Sequence, residues 1–273
     1  LDWNKTKSIF IIVFSILNVF LYSLYLDRYT EAENLEELSE SSVDDKLNAD
    51  DITYSNLPED VEGMPYIRGE TKVFTAKDAP TGNVQVSVQD GKKLQVAYEE
   101  PVSPEGEAES AEALDAFVEE VVHEGTSYEL WEIDEERNKA VYFQNFDGST
   151  LYFSEDGKVT VYWNNDGDIV RYEQTMYTDI IENQEPKELV NAITAIHTLY
   201  QKNELERDLT INKTDLGYSV HVQVSENRQM FVPTWHIQAE LSDGSREDYF
   251  VNAVKDGVLE LNKEEDEPEE EEQ

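Results

Sequence analysis

The chain has 273 residues, with 21 basic and 61 acidic side chains, a formal net charge of −40 and a pI near 4.1. Such a balance excludes recognition of nucleic acid through its phosphates, which needs clustered Lys and Arg. No cysteine is present, which excludes disulfides, thiolate metal sites, Cys nucleophiles and acylation at cysteine. With 15 Tyr, 10 Phe and 4 Trp, the chain is too aromatic for a disordered polyanion, so most of it should fold.

In chain order, Ser8 to Leu26 is a run without a charge, SIFIIVFSILNVFLYSLYL. As a helix it would span roughly 28 Å, close to the ~30 Å hydrocarbon core of a bilayer. Trp3 precedes it and Tyr22, Tyr25 and Tyr29 stand at its far end, where interfacial aromatics are favoured. Residues 8–26 are therefore expected to form a transmembrane helix. Lys5 and Lys7 would hold residues 1–7 in the cytoplasm by the positive-inside rule and leave the rest of the chain outside. No small-x-small site follows the apolar core, as a cleaved signal peptide would require. Ser15, Asn18, Tyr22 and Tyr25 fall at i, i+3, i+7 and i+10. That polar stripe could bind a second helix within the bilayer.

Residues 27–62 are acidic and without sustained periodicity, which predicts a tether extended by like-charge repulsion. Residues 263–273, KEEDEPEEEEQ, predict a solvated acidic tail. Between them the dipeptide Asp-Gly occurs at 90–91, 147–148, 156–157, 166–167, 243–244 and 256–257. With 22 Asp and 12 Gly, chance would supply about one. Asp-Gly tolerates the positive φ angles of type I′ turns, and its flanks alternate as half-buried strands do: VQVSV, KLQVAY, VTVYW, IVRYEQ. Two helices interrupt the strands. One is expected over 107–124, with Leu114, Phe117, Val118, Val121 and Val122 on one face and Gly125 as its C′ residue. The other is expected to start near Pro186 and to align Leu189, Ile193, Ile196 and Tyr200. The fold class is α+β, with two helix-on-antiparallel-sheet modules at 63–180 and 181–262.

The sequence offers no catalytic residue. The four histidines, His123, His197, His221 and His236, have no metal-ligand spacing, and no nucleophile elbow, P-loop or dinucleotide motif occurs. Read as a calcium loop, the frame at Gly167 places Tyr162 where an oxygen ligand is required. Paired carboxylates suited to glycoside hydrolysis are abundant but unmarked in so acidic a chain. Neither a metal nor a cofactor is expected.

The opening LDWNKTKSIFIIVFSILNVFL resembles the N-terminus of the regulatory family YycI (WalI), in Asp2, Trp3, Lys5 and Lys7 followed directly by the helix. The likeness continues through 144–175, which ends Tyr-x-Gln-Thr with Gln174. It runs on through 232–260, which holds Pro233, Trp235, Asn252 and Gly257. That last block also looks like PepSY-type extracellular modules. The resemblance implies a non-enzymatic, single-pass accessory of the WalK–WalR (YycG–YycF) two-component system. Such proteins act with YycH on the sensor kinase WalK, in a pathway controlling cell-wall metabolism of Gram-positive bacteria. It also implies an ectodomain like the C-terminal domains of YycH, with the family-motif residues in structural roles. The rival reading is an extracellular module that binds a ligand or wall polymer.

Overall fold

The computed structural model describes residues 7, 14, 17, 18, 22, 43–55, 57–58, 61–104, 110–154, 156–182, 185–254 and 257–259. Most of the expected membrane span 8–26, and the tail 263–273, lie outside the described residues. Among the described residues, no helix is long and apolar enough to cross a membrane.

Residues 43–49 form helix α1, followed by the short strand β1 (Thr53–Tyr54). Then come β2 (Ile67–Thr71), β3 (Val84–Gln89), β4 (Lys93–Val102), helix α2 (Ala111–Val121) and β5 (Tyr128–Asp134). The chain continues through β6 (Lys139–Phe146), β7 (Ser149–Tyr152), β8 (Lys158–Trp163), β9 (Ile169–Gln174) and β10 (Tyr177–Glu182). Helix α3 (Ala192–Gln201) and strands β11 (Leu209–Ser225), β12 (Arg228–Leu241), β13 (Arg246–Asn252) and β14 (Gly257–Val258) complete it.

The strands form one connected path, β10-β2-β12-β11-β7-β6-β8-β9-β4-β3, with β5 on β6, β1 on β11, and β13 and β14 beyond β12. Two helix-covered cores lie along it. In the first, Leu114, Phe117 and Val118 of α2 pack on Leu94, Val96, Ala140, Tyr142, Val159, Val161, Ile169 and Tyr172. In the second, Ala195, Ile196 and Leu199 of α3 pack on Ile211, Trp235, Ile237, Ala239 and Val251. This is a mixed α+β, sheet-dominated architecture. A smaller core of Ile67, Leu151, Tyr177, Tyr218 and Phe231 lies between them.

Both helices are shorter than their hydrophobic periodicity suggests, because side-chain caps fix their starts. The Ser110 hydroxyl accepts from the Ala113 amide at the head of α2, and the Asn191 side chain accepts from the Thr194 amide at the head of α3. Pro186 therefore lies ahead of α3, next to a bridge between Met64 and Lys187. Gly125 is not the left-handed residue after α2; Glu124 is, at φ 50°. Gly125 is required for closeness instead, since a Cβ there would stand 1.8 Å from the Val118 carbonyl oxygen.

The Asp-Gly turns divide by geometry. At 90–91 and 147–148 both residues have positive φ, as type I′ demands, whereas at 156–157, 166–167 and 243–244 only the glycine does. The latter close the longer connections, such as that in which Leu241 donates to the Ser245 carbonyl and Gly244 to that of Leu241.

Two features depart from the expected organisation. Residues 43–54, inside the stretch read as a tether, belong to the second core. Val43, Leu47 and Ile52 are at most 4% exposed, and β1 pairs in parallel with β11. The i, i+4 spacing of Val43 and Leu47 gives α1 one apolar stripe, enough to bury a helix whose other faces are acidic. The strands also do not separate at residue 180. β2 and β10 pair with each other, and β2 pairs with β12, because Ile67, Tyr177 and Phe231 share one core.

Candidate functional site

Two places in the fold bring chemistry-bearing side chains together: the dock of residues 43–54, and the junction where β7 joins the two sheets.

At the dock, acidic side chains of an acidic segment find specific partners. Asp44 Oδ1 lies 2.9 Å from His197 Nε2, on a histidine side chain only 5% exposed. The Tyr54 hydroxyl donates to the same oxygen, Asp44 Oδ1, at 3.3 Å. Burial, and then Asp44, push the Tyr54 hydroxyl above its ordinary pKa. Six residues on, just past the end of α1, Asp50 accepts from Tyr200 at 2.7 Å and pairs with Arg207 at 3.2 Å, while its carbonyl accepts from the Asp208 amide. Hydrophobic burial of Val43, Leu47 and Ile52 supplies most of the attachment, roughly 1.5–3 kcal/mol for each large side chain. The exposed parts of the ion pairs add little and set the register.

At the junction, β7 pairs antiparallel with β6 and parallel with β11, through Leu151 opposite Tyr218 and Tyr152 opposite Ser219. Gly217 allows this approach, for a Cβ there would lie 2.5 Å from both the Thr150 carbonyl oxygen and the Tyr152 ring. A buried polar network crosses the contact. Gln144 of β6 donates to the Tyr177 carbonyl and accepts from its amide, at 2.8 and 2.7 Å. The Tyr177 hydroxyl donates to Gln229 of β12 and lies 2.5 Å from Ser154 Oγ. Gln144, Ser154, Tyr177 and Gln229 are all buried, so each bond is made where water cannot replace it.

An aromatic cluster spans the same contact. Trp131, Phe143, Tyr152 and Phe153 come from the first sheet side, and His236 and Phe250 from β12 and β13. His236 stacks on Phe250 at 5.1 Å and 16°, with the Trp131 ring centroid 4.9 Å away. Its Nε2 pairs with Asp248 at 2.7 Å, while its Nδ1 is buried without a hydrogen-bond partner among the described residues. Phe153 holds a φ of 43°, a conformation costly for a bulky residue and sustained only by surrounding packing. The arrangement packs side chains of β5 and β7 against side chains of β12 and β13. Among the described residues no group of three or more His, Asp and Glu is placed to hold a metal ion.

The residues singled out in the sequence fall in scattered places. Trp3, Lys5, Ser15 and Tyr25 lie outside the described residues. Lys7, Asn18 and Tyr22 are helical and exposed, and the Asn18 amide donates to the Phe14 carbonyl of its own helix at 3.0 Å. Gln174 is 1% exposed and donates to the His123 carbonyl and the Tyr128 hydroxyl, tying the end of β9 to the loop after α2. Trp235 is fully buried with its indole N–H on the Val190 carbonyl, which closes the approach to α3. Pro233 lies in β12 opposite Tyr218, and its carbonyl accepts from the Ala253 amide. Asn252 accepts from the Val254 amide, and Gly257 opens β14. Neither the dock nor the junction is marked by a motif in the sequence. The one signal for the dock was the i, i+4 pair Val43 and Leu47 among acids.

The family model for the YycI protein matches residues 31–254, a stretch holding the dock, both units and the junction. The chain belongs to the YycI family. Membership makes it a regulatory accessory protein of the WalK two-component system, a family of regulators rather than enzymes. No curated protein matches the chain. Among solved structures, the YycI chain is similar to an uncharacterized protein from Eubacterium rectale, with a TM-score of 0.50 and 10% identity over 78% of this chain and 92% of that one. At that identity the likeness concerns the fold. The Bacillus megaterium YpeB C-terminal domain aligns with a TM-score of 0.43 and 14% identity, over 66% of this chain and 75% of that one.

Proposed function

We propose that the chain is a single-pass accessory which, together with YycH, modulates the sensor kinase WalK from the outer face of the cell membrane. Residues 1–7 stand in the cytoplasm, 8–26 cross the bilayer, and the folded units lie outside. The ectodomain has the architecture of the C-terminal domains of YycH, and the two helix-covered units form its halves. The observation that carries this reading is the YycI family match over 31–254, which is separated by four residues from an uncharged run long enough to span a bilayer.

The dock supports a physical route for the signal. Because 43–54 are part of the second core, only residues 27–42 separate the span from the folded unit, a reach of at most about 55 Å when fully extended. Movement or pairing of the helix is thus transmitted to a body held close to the membrane. The stripe Ser15, Asn18, Tyr22 and Tyr25 supplies contacts to partner helices. To regulate, the assembly must bind one signalling state of WalK better than the other; a difference of about 1–3 kcal/mol changes that equilibrium about 5- to 150-fold.

The test is recovery of YycH and WalK on the tagged full-length chain from detergent-solubilised membranes. A parallel variant carries Ser15→Leu, Asn18→Leu and Tyr22→Leu. The expected result is co-purification of both partners with the parent and their loss from the variant. Recovery by neither chain would reject the accessory role, and equal recovery by both would move the contact to the ectodomain.

A further inference from the structure

Every open sheet offers its edges to other chains, and soluble proteins blunt them with charges, prolines, bulges or brevity. The exposed edges of this sheet follow that rule, with one exception. β10, at one end of the strand path, carries Asp179 and Glu182 and a register shift between Thr178 and Ile181. β5 carries Glu129, Glu132 and Asp134 and a shift between Leu130 and Glu132. The part of β11 beyond its pairing with β7 is interrupted twice, between Val220 and Val222 and between Gln223 and Ser225. β14 has only two residues.

β3, at the other end of the path, has none of these devices. It pairs with β4 in six consecutive positions without a shift, from Val84 opposite Tyr98 to Gln89 opposite Lys93. Among the described strands it has no other partner. From Asn83 to Gln89 (NVQVSVQ) there is no charge and no proline, in a chain with 30% charged residues and a net charge of −40. Val84, Val86 and Val88 are half-buried against the α2 core, and Gln85, Ser87 and Gln89 are exposed on the other face.

We propose that β3 pairs antiparallel with β3 of a second copy of this chain, about a two-fold axis at Val86. The segment is self-complementary in that register over all seven residues; a slip of two keeps valine on valine in the middle but sets Val84 opposite Asp90 in one direction and Val88 opposite Gly82 in the other. Val86 faces itself, Val84 faces Val88, Gln85 faces Ser87 and Asn83 faces Gln89, so one face of the joined sheet is all valine and the other all amide and hydroxyl. A slip of one residue sets valine against glutamine and breaks both faces. Charge selects the same place. Two bodies of like charge repel, and an edge on which no acid faces an acid is where they can meet. Just outside the paired segment, Asp90 falls opposite Gly82. The result is an isologous dimer in which β4-β3 of each copy continue one sheet and the α2 cores lie on a common face.

The experiment uses the full chain in detergent micelles. The chain has no cysteine, so Val86→Cys introduces a thiol that meets its symmetry mate across the strands. Mild oxidation is expected to give a disulfide-linked dimer, with little from Ser87→Cys, whose mate lies a diagonal step away. Sedimentation equilibrium tests the register on the exposed face, where substitutions spare the core. Gln85→Glu with Ser87→Glu sets like charges directly opposite each other twice and should weaken dimerisation about tenfold. Gln85→Lys with Ser87→Glu turns both contacts into opposite-charge pairs and should restore it. A parent chain that stays monomeric overturns the proposal. So does a dimer that ignores the double glutamate change and leaves Val86→Cys uncrosslinked, the pattern expected of association through another surface or through helix 8–26.

Discussion

The two helix-covered units are built from the chain in different ways. The α2 unit draws its core from residues 74 to 176 in one continuous run. The α3 unit gathers α1 and β1 from before residue 55, borders β2 at 67–71, and closes on β13 near residue 251. One unit is local, the other is stitched from distant segments, and loop-closure entropy makes the second slower to assemble and easier to loosen. A regulator gains from that asymmetry, since the stitched unit also receives the segment leading from the expected membrane helix.

Trp235→Ala should separate the two units most severely. The indole is fully buried and its N–H holds the Val190 carbonyl, so the α3 unit should lose about 3–5 kcal/mol. Hydrogen exchange resolved along the chain should show protection falling in β11–β13 while β8 and β9 keep theirs; uniform loss would mean the units are one cooperative body. Leu47→Ala, at 1% exposure, should cost the same unit about 2–5 kcal/mol and expose residues 43–54 to protease first. Undiminished resistance there would show that the dock does not depend on its apolar stripe. Tyr177→Phe removes a hydroxyl from the buried network with Gln229 and Ser154. It should cost about 1–3 kcal/mol and bring the two units' unfolding transitions apart in a denaturant titration. The smallest effect at neutral pH comes from the tyrosine hydroxyls.

Burial pushes Tyr98, in the α2 unit, up to about 12, and burial with Glu182 and Asp147 does the same to Tyr218 at the junction. Both folded values lie above the unfolded one near 10, so the protonated form is favoured by the fold. Their contribution to stability is whole below pH 10 and is lost as the pH rises toward 12. The part of the tyrosinate absorbance that comes from the buried tyrosines should therefore appear late and together with loss of secondary structure. Early ionisation of all fifteen tyrosines, without unfolding, would contradict the burial.

Local signals in the sequence were readable wherever the structure is local. Asp-Gly marked hairpins at 90, 147 and 243, and alternation marked β3, β4, β8 and β9. The apolar stripe of α2 was read from Leu114, Phe117 and Val118. What escaped depends on distant partners. Val43 and Leu47 look like two stray apolar residues among acids until α3 and β11 supply a surface for them. Gly217 reads as any strand glycine until Thr150 and Tyr152 come against it. Ile67 and Tyr177 look like members of the first module, yet Phe231 claims both. Periodicity places the helix starts too early because it continues N-terminal of Ser110 and Asn191, and only the capping bonds say where the backbone turns helical.

Regulation of WalK by this chain would be visible downstream, in the response regulator. The most direct measurement is the phosphorylated fraction of WalR in cells expressing the full chain, no chain, or a form in which Val43→Asp and Leu47→Asp release the dock. Removing the chain is expected to change the phosphorylated fraction, and releasing the dock to reproduce that change with the protein still present in the membrane fraction. An unchanged fraction in the absence of the chain would contradict such regulation.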